Sequence, residues 1–157
     1  MSFEVLPLGA GDRKEWEVLA RAYKTFYETV LPDAAYARTW NRLMSGDGIH
    51  GFGARDNGRL VGITHCLFHT GTWTNKSCYL EDLFVDPAWR GRGIARGLIE
   101  AVGRHAREEG AGRLYWLTHQ QNETARLLYD RVASFSGFVE YEYSLSTAPM
   151  GHEGTPE

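Results

Sequence analysis

The run Val85-Asp86-Pro87-Ala88-Trp89-Arg90-Gly91-Arg92-Gly93-Ile94-Ala95-Arg96-Gly97 joins two different hydrophobic periods. Upstream, Tyr79 to Val85 reads as an apolar strand that breaks at Asp86-Pro87. Downstream, Ile94, Leu98, Ile99, Val102 and Ala106 recur at helical spacing. A loop of alternating arginine and glycine lies between them. A strand, a glycine turn and a helix start together make an anion cradle. Glycines let backbone N–H groups approach a phosphate, and the helix N-terminus adds its positive dipole end. Arg90, Arg92 and Arg96 supply charge for a ligand with several phosphates. The stretch points to a nucleotide-like cofactor.

Two other phosphate motifs fit badly. The Walker pattern needs Lys followed by Ser or Thr at the helix start, and no such pair stands here. The dinucleotide fingerprint is half met, because Gly91 and Gly93 fit but Arg96 takes the place of the third glycine. That fold also needs an acidic residue closing the next strand, whereas Arg113 to Thr118 runs into His119-Gln120-Gln121. Nicotinamide binding is disfavoured on both grounds.

Outward from this loop, composition sets the frame. The 157 residues suit one domain with a real core. Hydrophobic residues make up 43% and charged residues 24%, which are globular values. No apolar run is long enough to span a membrane. The start, Met1-Ser2-Phe3-Glu4-Val5, lacks the basic and apolar regions of a signal peptide. Cys66 and Cys78 make no disulfide framework, so a cytoplasmic location is expected. A net charge of -3 argues against a nucleic-acid partner. His65-Cys66-x-x-His69 has the residue types of a metal site, but on a strand Cys66 points away from the two histidines. No metal is expected.

The element order expected is β-α-α-β-β-β-α-β-α-β. Strands are read at Phe3 to Leu8, Ile49 to Arg55, Leu60 to Phe68, Trp73 to Val85, Arg113 to Thr118 and Phe138 to Leu145. Asp56-Asn57-Gly58 is a hairpin turn. Helices are read from Asp12 to about Val30, Asp33 to Met44, Gly93 to Glu109 and Asn122 to about Ala133. The fold class is α+β, with a mixed, mostly antiparallel six-stranded sheet and four helices. Its two halves part where the fourth and fifth strands meet, beside the glycine loop, and a long thin ligand can enter there. Residues 1–145 form the domain; the Pro-, Gly- and Thr-rich residues 146–157 read as a disordered tail.

Three stretches now resemble the GNAT family of N-acetyltransferases. They are Tyr79-Leu80-Glu81-Asp82-Leu83-Phe84-Val85, then Arg90-Gly91-Arg92-Gly93-Ile94-Ala95, then Asn122-Glu123-Thr124-Ala125-Arg126-Leu127-Leu128-Tyr129. Arg90, Gly93 and Ala95 occupy the defined places of the family loop Arg/Gln-x-x-Gly-x-Gly/Ala. Leu-Glu-Asp-Leu-Phe-Val and Leu-Tyr-Asp are similar to the diamine (spermidine/spermine) branch. Many members carry a seventh strand, and this chain is expected to stop after the sixth. We expect a second subunit to cover the open edge, giving a homodimer.

The resemblance implies transfer of an acetyl group from acetyl-CoA to a primary amine of a small molecule. The pyrophosphate would rest on backbone N–H groups of Gly91, Arg92, Gly93, Ile94, Ala95 and Arg96, with Arg90 adding charge. Leu83, Phe84 and Val85 would offer strand backbone to the pantetheine arm. An N–H near Leu83 would polarise the thioester carbonyl. Asn122 would bond a pantetheine amide, or act as a plain helix cap, and Ala125 would line the same arm. Glu81 is the expected base for the amine, direct or through water; on a regular strand only one of Glu81 and Asp82 faces the cleft. Tyr129 is expected to protonate the leaving thiolate. Tyr27, Glu28, Tyr115, Trp116 and Leu117 are the expected acceptor wall, with Trp73 and Tyr79 as further candidates. Aromatic faces and carboxylates suit a cationic diamine or polyamine. An amino acid or a peptide amine is the alternative acceptor, and an acetyl-CoA sensor without catalysis is the alternative function.

Overall fold

Short turns and alternating strands bring chain neighbours together first. The computed structural model describes residues 2–146. In it β1 (Glu4–Pro7), β2 (Ile49–Asp56), β3 (Arg59–His69) and β4 (Ser77–Val85) form an antiparallel meander, and β5 (Arg113–Tyr115) joins β4 in parallel. The helices are α1 (Arg13–Phe26), α2 (Asp33–Ser45), α3 (Ile94–Glu108) and α4 (Glu123–Val132). Asn57 and Gly58 both take positive φ, 49° and 82°, as a two-residue hairpin turn between β2 and β3 demands. No helix among the described residues is long and apolar enough to cross a membrane.

The sheet separates two cores. On one face α1 and α2 bury Trp16, Tyr23 and Trp40 against Ile63 and Phe84. On the other, α3 lays Ile94, Leu98 and Val102 over Val61, Leu80 and Leu83. The period read from sequence for α3 is the one it buries. The N-terminal helix is shorter than expected, ending at Phe26 rather than near Val30. Glu28 turns left-handed (φ 53°), and the Thr29 N–H reaches back to the Lys24 carbonyl at 2.9 Å. That pattern closes a helix end.

Among the described residues the sheet has five strands, not the six expected. The reason lies at β5, which pairs with β4 only through Ser77↔Arg113, Cys78↔Leu114 and Tyr79↔Tyr115 and then diverges. So short an edge gives the expected sixth strand, Phe138 to Leu145, little to pair with. That segment has no regular secondary structure and joins no strand, with Phe138, Tyr141, Tyr143 and Leu145 each at least 85% exposed. Residues 147–157 of the expected tail lie outside the described residues.

Candidate functional site

The divergence of β5 leaves β4 without a neighbour on one side from Leu80 to Val85. Leu83, Phe84 and Val85 are buried by their side chains, so what they present along that side is backbone. The sheet thus parts between β4 and β5, where the sequence placed the opening. A polar backbone edge in an otherwise apolar wedge suits an extended ligand carrying amides.

At the end of this edge the chain turns through Pro87–Trp89, capped by the Asp86 carboxylate, which accepts from the Ala88 N–H at 2.9 Å. Gly91 and Gly93 then adopt φ of 75° and 80°, and a side chain at either would be strained. Gly93 is the N-cap of α3 and offers no side-chain oxygen, so the first-turn N–H groups remain directed outward. Ile94 is buried under the loop, while Arg92 and Arg96 are exposed around it. Arg92 stacks over Trp89 at 4.5 Å, and Arg96 pairs with Glu100 at 2.8 Å. Arg90 donates from Nε to the Val85 carbonyl at 3.2 Å and lies over Phe26 and Phe84. That arginine fastens the loop to the end of β4. Ala95 is half-buried behind the cradle.

The middle of β4 is irregular. His65 stands opposite Asp82 and Cys66 opposite Leu80, which leaves Glu81 as an extra residue. Leu80 and Leu83 both enter the α3-side core, so Glu81 and Asp82 both turn to the other side. The expectation that only one of the two faces the cleft therefore fails, because a bulge replaces regular alternation. Glu81 is half-buried and its charge, after burial, raises the Tyr79 phenol. Asp82 accepts from His65 Nδ1 at 2.9 Å, and Thr64 Oγ1 donates to the Asp82 carbonyl at 2.7 Å. Burial first, and then the neighbouring Asp82, push the Tyr23 phenol far above the ordinary tyrosine range.

Across the wedge, α4 begins at Asn122, whose Oδ1 accepts from the Ala125 N–H at 3.4 Å. The helix-cap reading of Asn122 thus has its partner, and its Nδ2 reaches Thr118 Oγ1 at 3.4 Å. Tyr129 is buried on the inner face of α4 and meets Trp116 edge-on at 5.3 Å. The expected acceptor wall divides. Tyr115 stacks on Tyr79 at 5.1 Å and its hydroxyl meets His69 Nε2 at 2.8 Å, while Trp116 packs with the α3-side core. The two alternate along the chain and do not share one wall; Leu117 follows, half-buried. Tyr27 sits edge-on to Tyr23 at 5.0 Å and 6.3 Å from the His119 ring, and Glu28 beside it is exposed. Trp73 is 96% exposed and lies outside any wall.

Sequence reasoning weighed His65 as a metal ligand and Asp82 as the neighbour of Glu81, but did not link them to Trp16; the three form one chain of hydrogen bonds that runs from the core to the partly exposed Asp82. The available signal was a histidine inside an otherwise apolar strand, a residue that needs a partner once buried.

Residues 16–135 match the model of the acetyltransferase (GNAT) family. The chain is 32% identical over 136 residues to the D-amino-acid N-acetyltransferase of Saccharomyces cerevisiae, covering 83% of this chain and 84% of that one. It is 28% identical over 115 residues to the thialysine N-epsilon-acetyltransferase of Mus musculus, covering 73% and 68%. Its fold is similar to that of a ribosomal-protein-alanine N-acetyltransferase from Brucella melitensis biovar Abortus, with a TM-score of 0.77, 24% identity, and coverage of 92% of this chain and 100% of that chain. It is also similar to AAC(6')-Iy in complex with the bisubstrate analogue CoA-S-monomethyl-acetylneamine, with a TM-score of 0.75, 21% identity, and coverage of 96% and 100%.

Proposed function

The chain belongs to the acetyltransferase (GNAT) family and is an acyl-CoA-dependent N-acetyltransferase; on that premise we propose that its acceptor is a cationic small-molecule amine of diamine or polyamine type. The observation that carries the reading is the pair of carboxylates, Glu81 and Asp82, turned to one side at the bulge of β4. Aromatic residues Tyr23, Tyr27, Tyr79 and Tyr115 stand on the same side of the sheet. Carboxylates and aromatic faces together favour an ammonium group over a neutral amine. The yeast relative is named for D-amino acids and the mouse relative for thialysine, so the amine acceptors of relatives vary.

The groups at the wedge fit coenzyme A. The backbone of Leu83 and Val85 would pair with its amides, the N–H groups from Gly91 to Arg96 would hold its pyrophosphate, and Arg90 and Arg92 would add positive charge. Acetyl-CoA supplies an activated acetyl thioester. Glu81 takes the proton that the ammonium must lose before its nitrogen attacks, directly or through one water. A backbone N–H near Leu83 polarises the carbonyl oxygen as charge gathers there. Tyr129 gives its phenolic proton to the departing sulfur, and Asn122 steadies the pantetheine arm. Tyr27, Glu28 and Tyr115 border the acceptor.

The same reading includes a homodimer. The outer edge of β5 ends the sheet, and residues 138–145 expose several large apolar side chains. A second copy offers both a strand and an edge, so a two-fold pair satisfies both at once.

The test is a panel of amines (spermidine, 1,3-diaminopropane, thialysine, D-amino acids, aminoglycosides and a peptide amine) incubated with acetyl-CoA and read by mass gain. Acetylated spermidine or diaminopropane at the highest kcat/KM supports the proposal. Preference for an amino acid or aminoglycoside overturns the acceptor class. Tight coenzyme A binding with no acetylated product from any amine favours a sensor.

A further inference from the structure

Trp16, on α1, is fully buried, and its Nε1–H donates to His65 Nε2 at 2.9 Å. Indole nitrogen is a donor only, so the His65 Nε2 that receives it carries no proton. A neutral imidazole then holds its proton on Nδ1, and that atom lies 2.9 Å from Asp82 Oδ2. His65 therefore donates to Asp82, and Asp82 receives as a carboxylate. The order along the chain of bonds runs in one direction only, from Trp16 through His65 to Asp82.

The surroundings hold this order in place. Trp40 packs against Trp16 with ring centroids 5.1 Å apart, and His65 is 6% exposed. Tyr23 lies close enough on α1 for the Asp82 charge, after burial, to raise its phenol. Thr64 Oγ1 ties the Asp82 backbone carbonyl at 2.7 Å, which compensates for the ladder disrupted at the bulge. The Asp82 side chain keeps 18% of its surface exposed, so its carboxylate is neither sealed in the core nor free to turn. Asp82 follows Glu81 directly on the same face.

We propose that Trp16 and His65 are positioning residues, which lock His65 as the Nδ1–H tautomer and thereby hold the Asp82 carboxylate in one orientation beside Glu81. The fixed carboxylate sets how tightly a cationic acceptor is held, while proton removal stays with Glu81. Two helical turns of α1 and one imidazole thus serve an amine that neither touches. This rests on the acceptor reading above, but the tautomer stands or falls separately.

Nitrogen-15 NMR of histidine-labelled wild-type protein tests the tautomer without any substrate. The expected spectrum has His65 protonated at Nδ1 and bare at Nε2, with the Trp16 indole proton coupled to that bare nitrogen. A proton on Nε2, alone or with one on Nδ1, overturns the lock. Kinetics test the consequence, with spermidine and thialysine as probe amines. His65→Leu removes the donor and should raise KM by about ten-fold or more, the worth of one hydrogen bond to a charged group, with kcat within about three-fold. His65→Asn places an amide donor near the old Nδ1 and should recover most of that loss. Trp16→Phe should release the tautomer and raise KM in the same sense, with coenzyme A affinity by calorimetry as the check on folding. Unchanged KM in a folded His65→Leu or Trp16→Phe protein, or an Asn variant no better than Leu, overturns the positioning role. Should His65→Leu not fold, the wild-type spectrum and the His65→Asn kinetics still decide. Should neither amine be acetylated, the acceptor reading fails while the spectrum still rules on the tautomer.

Discussion

Leu80 and Leu83 lie three residues apart on one strand, yet both side chains enter the same core beneath α3. A regular strand would place them on opposite faces. The extra residue between them turns Glu81 and Asp82 together toward α1 and α2, beside the backbone edge that β5 leaves open. One local irregularity thus brings two carboxylates to the wedge.

Glu81→Gln should lower kcat/KM by roughly 10²-fold or more, the usual worth of a positioned general base. Coenzyme A affinity should not change, because the glutamine keeps the shape of the bulge. Steady-state kinetics beside calorimetry check both halves, and unaltered kcat/KM across pH removes Glu81 from the chemistry.

Tyr129→Phe keeps the ring against Trp116 and deletes only the hydroxyl. The expected result is a fall in kcat of about 10²-fold with a change in coenzyme A affinity of less than about three-fold. Turnover at the wild-type rate contradicts the assignment.

Gly93→Val forces a branched residue into φ of 80° at the start of α3. The strain should cost about 1–2 kcal/mol of stability. The cradle N–H groups should also lose their alignment, so coenzyme A binding weakens together with the midpoint of thermal unfolding. Calorimetry and a denaturation curve measure the two effects; a variant that binds as wild type separates the left-handed turn from phosphate recognition.

The wild-type protein should sediment as a dimer at micromolar concentration, and Tyr141→Asp with Tyr143→Asp should shift it toward monomer. Two buried charges in a strand-pairing interface cost several kcal/mol unless they are paired. Sedimentation velocity reads the outcome, and a monomeric wild type ends the dimer reading.

The parts of the fold that depend on local order were legible in the chain. The helix of Ile94, Leu98 and Val102 follows from spacing alone, and the Asn57-Gly58 turn follows from two residues that tolerate positive φ. The opening between β4 and β5 was also readable, because a meander gives way there to helical crossovers and a glycine loop follows the fourth strand, although the fifth strand, read to Thr118, ends at Tyr115. The bulge at Glu81 was not, since it is set by how β3 registers against β4 from Gly62 to His69. The same holds for Trp16 and His65, which are 49 residues apart and meet only across the packed sheet. Phe138 to Leu145 has the composition of a strand, but pairing needs a partner edge, and β5 stops at Tyr115. The placement of the acceptor wall failed in part for a related reason: Tyr115 and Trp116 are adjacent, and adjacent residues on extended chain look in opposite directions.

Because β5 leaves β4 after Tyr79, the side of β4 turned from β3 has no paired strand from Leu80 to Val85 among the described residues. A coenzyme laid along that side binds the native chain and not the unfolded one, so its concentration enters the folding equilibrium directly. At a hundred-fold excess over Kd the gain is about 2.7 kcal/mol, enough to raise the melting temperature by several degrees in a domain of this size. Resistance to heat and to protease should therefore rise with the concentration of coenzyme A.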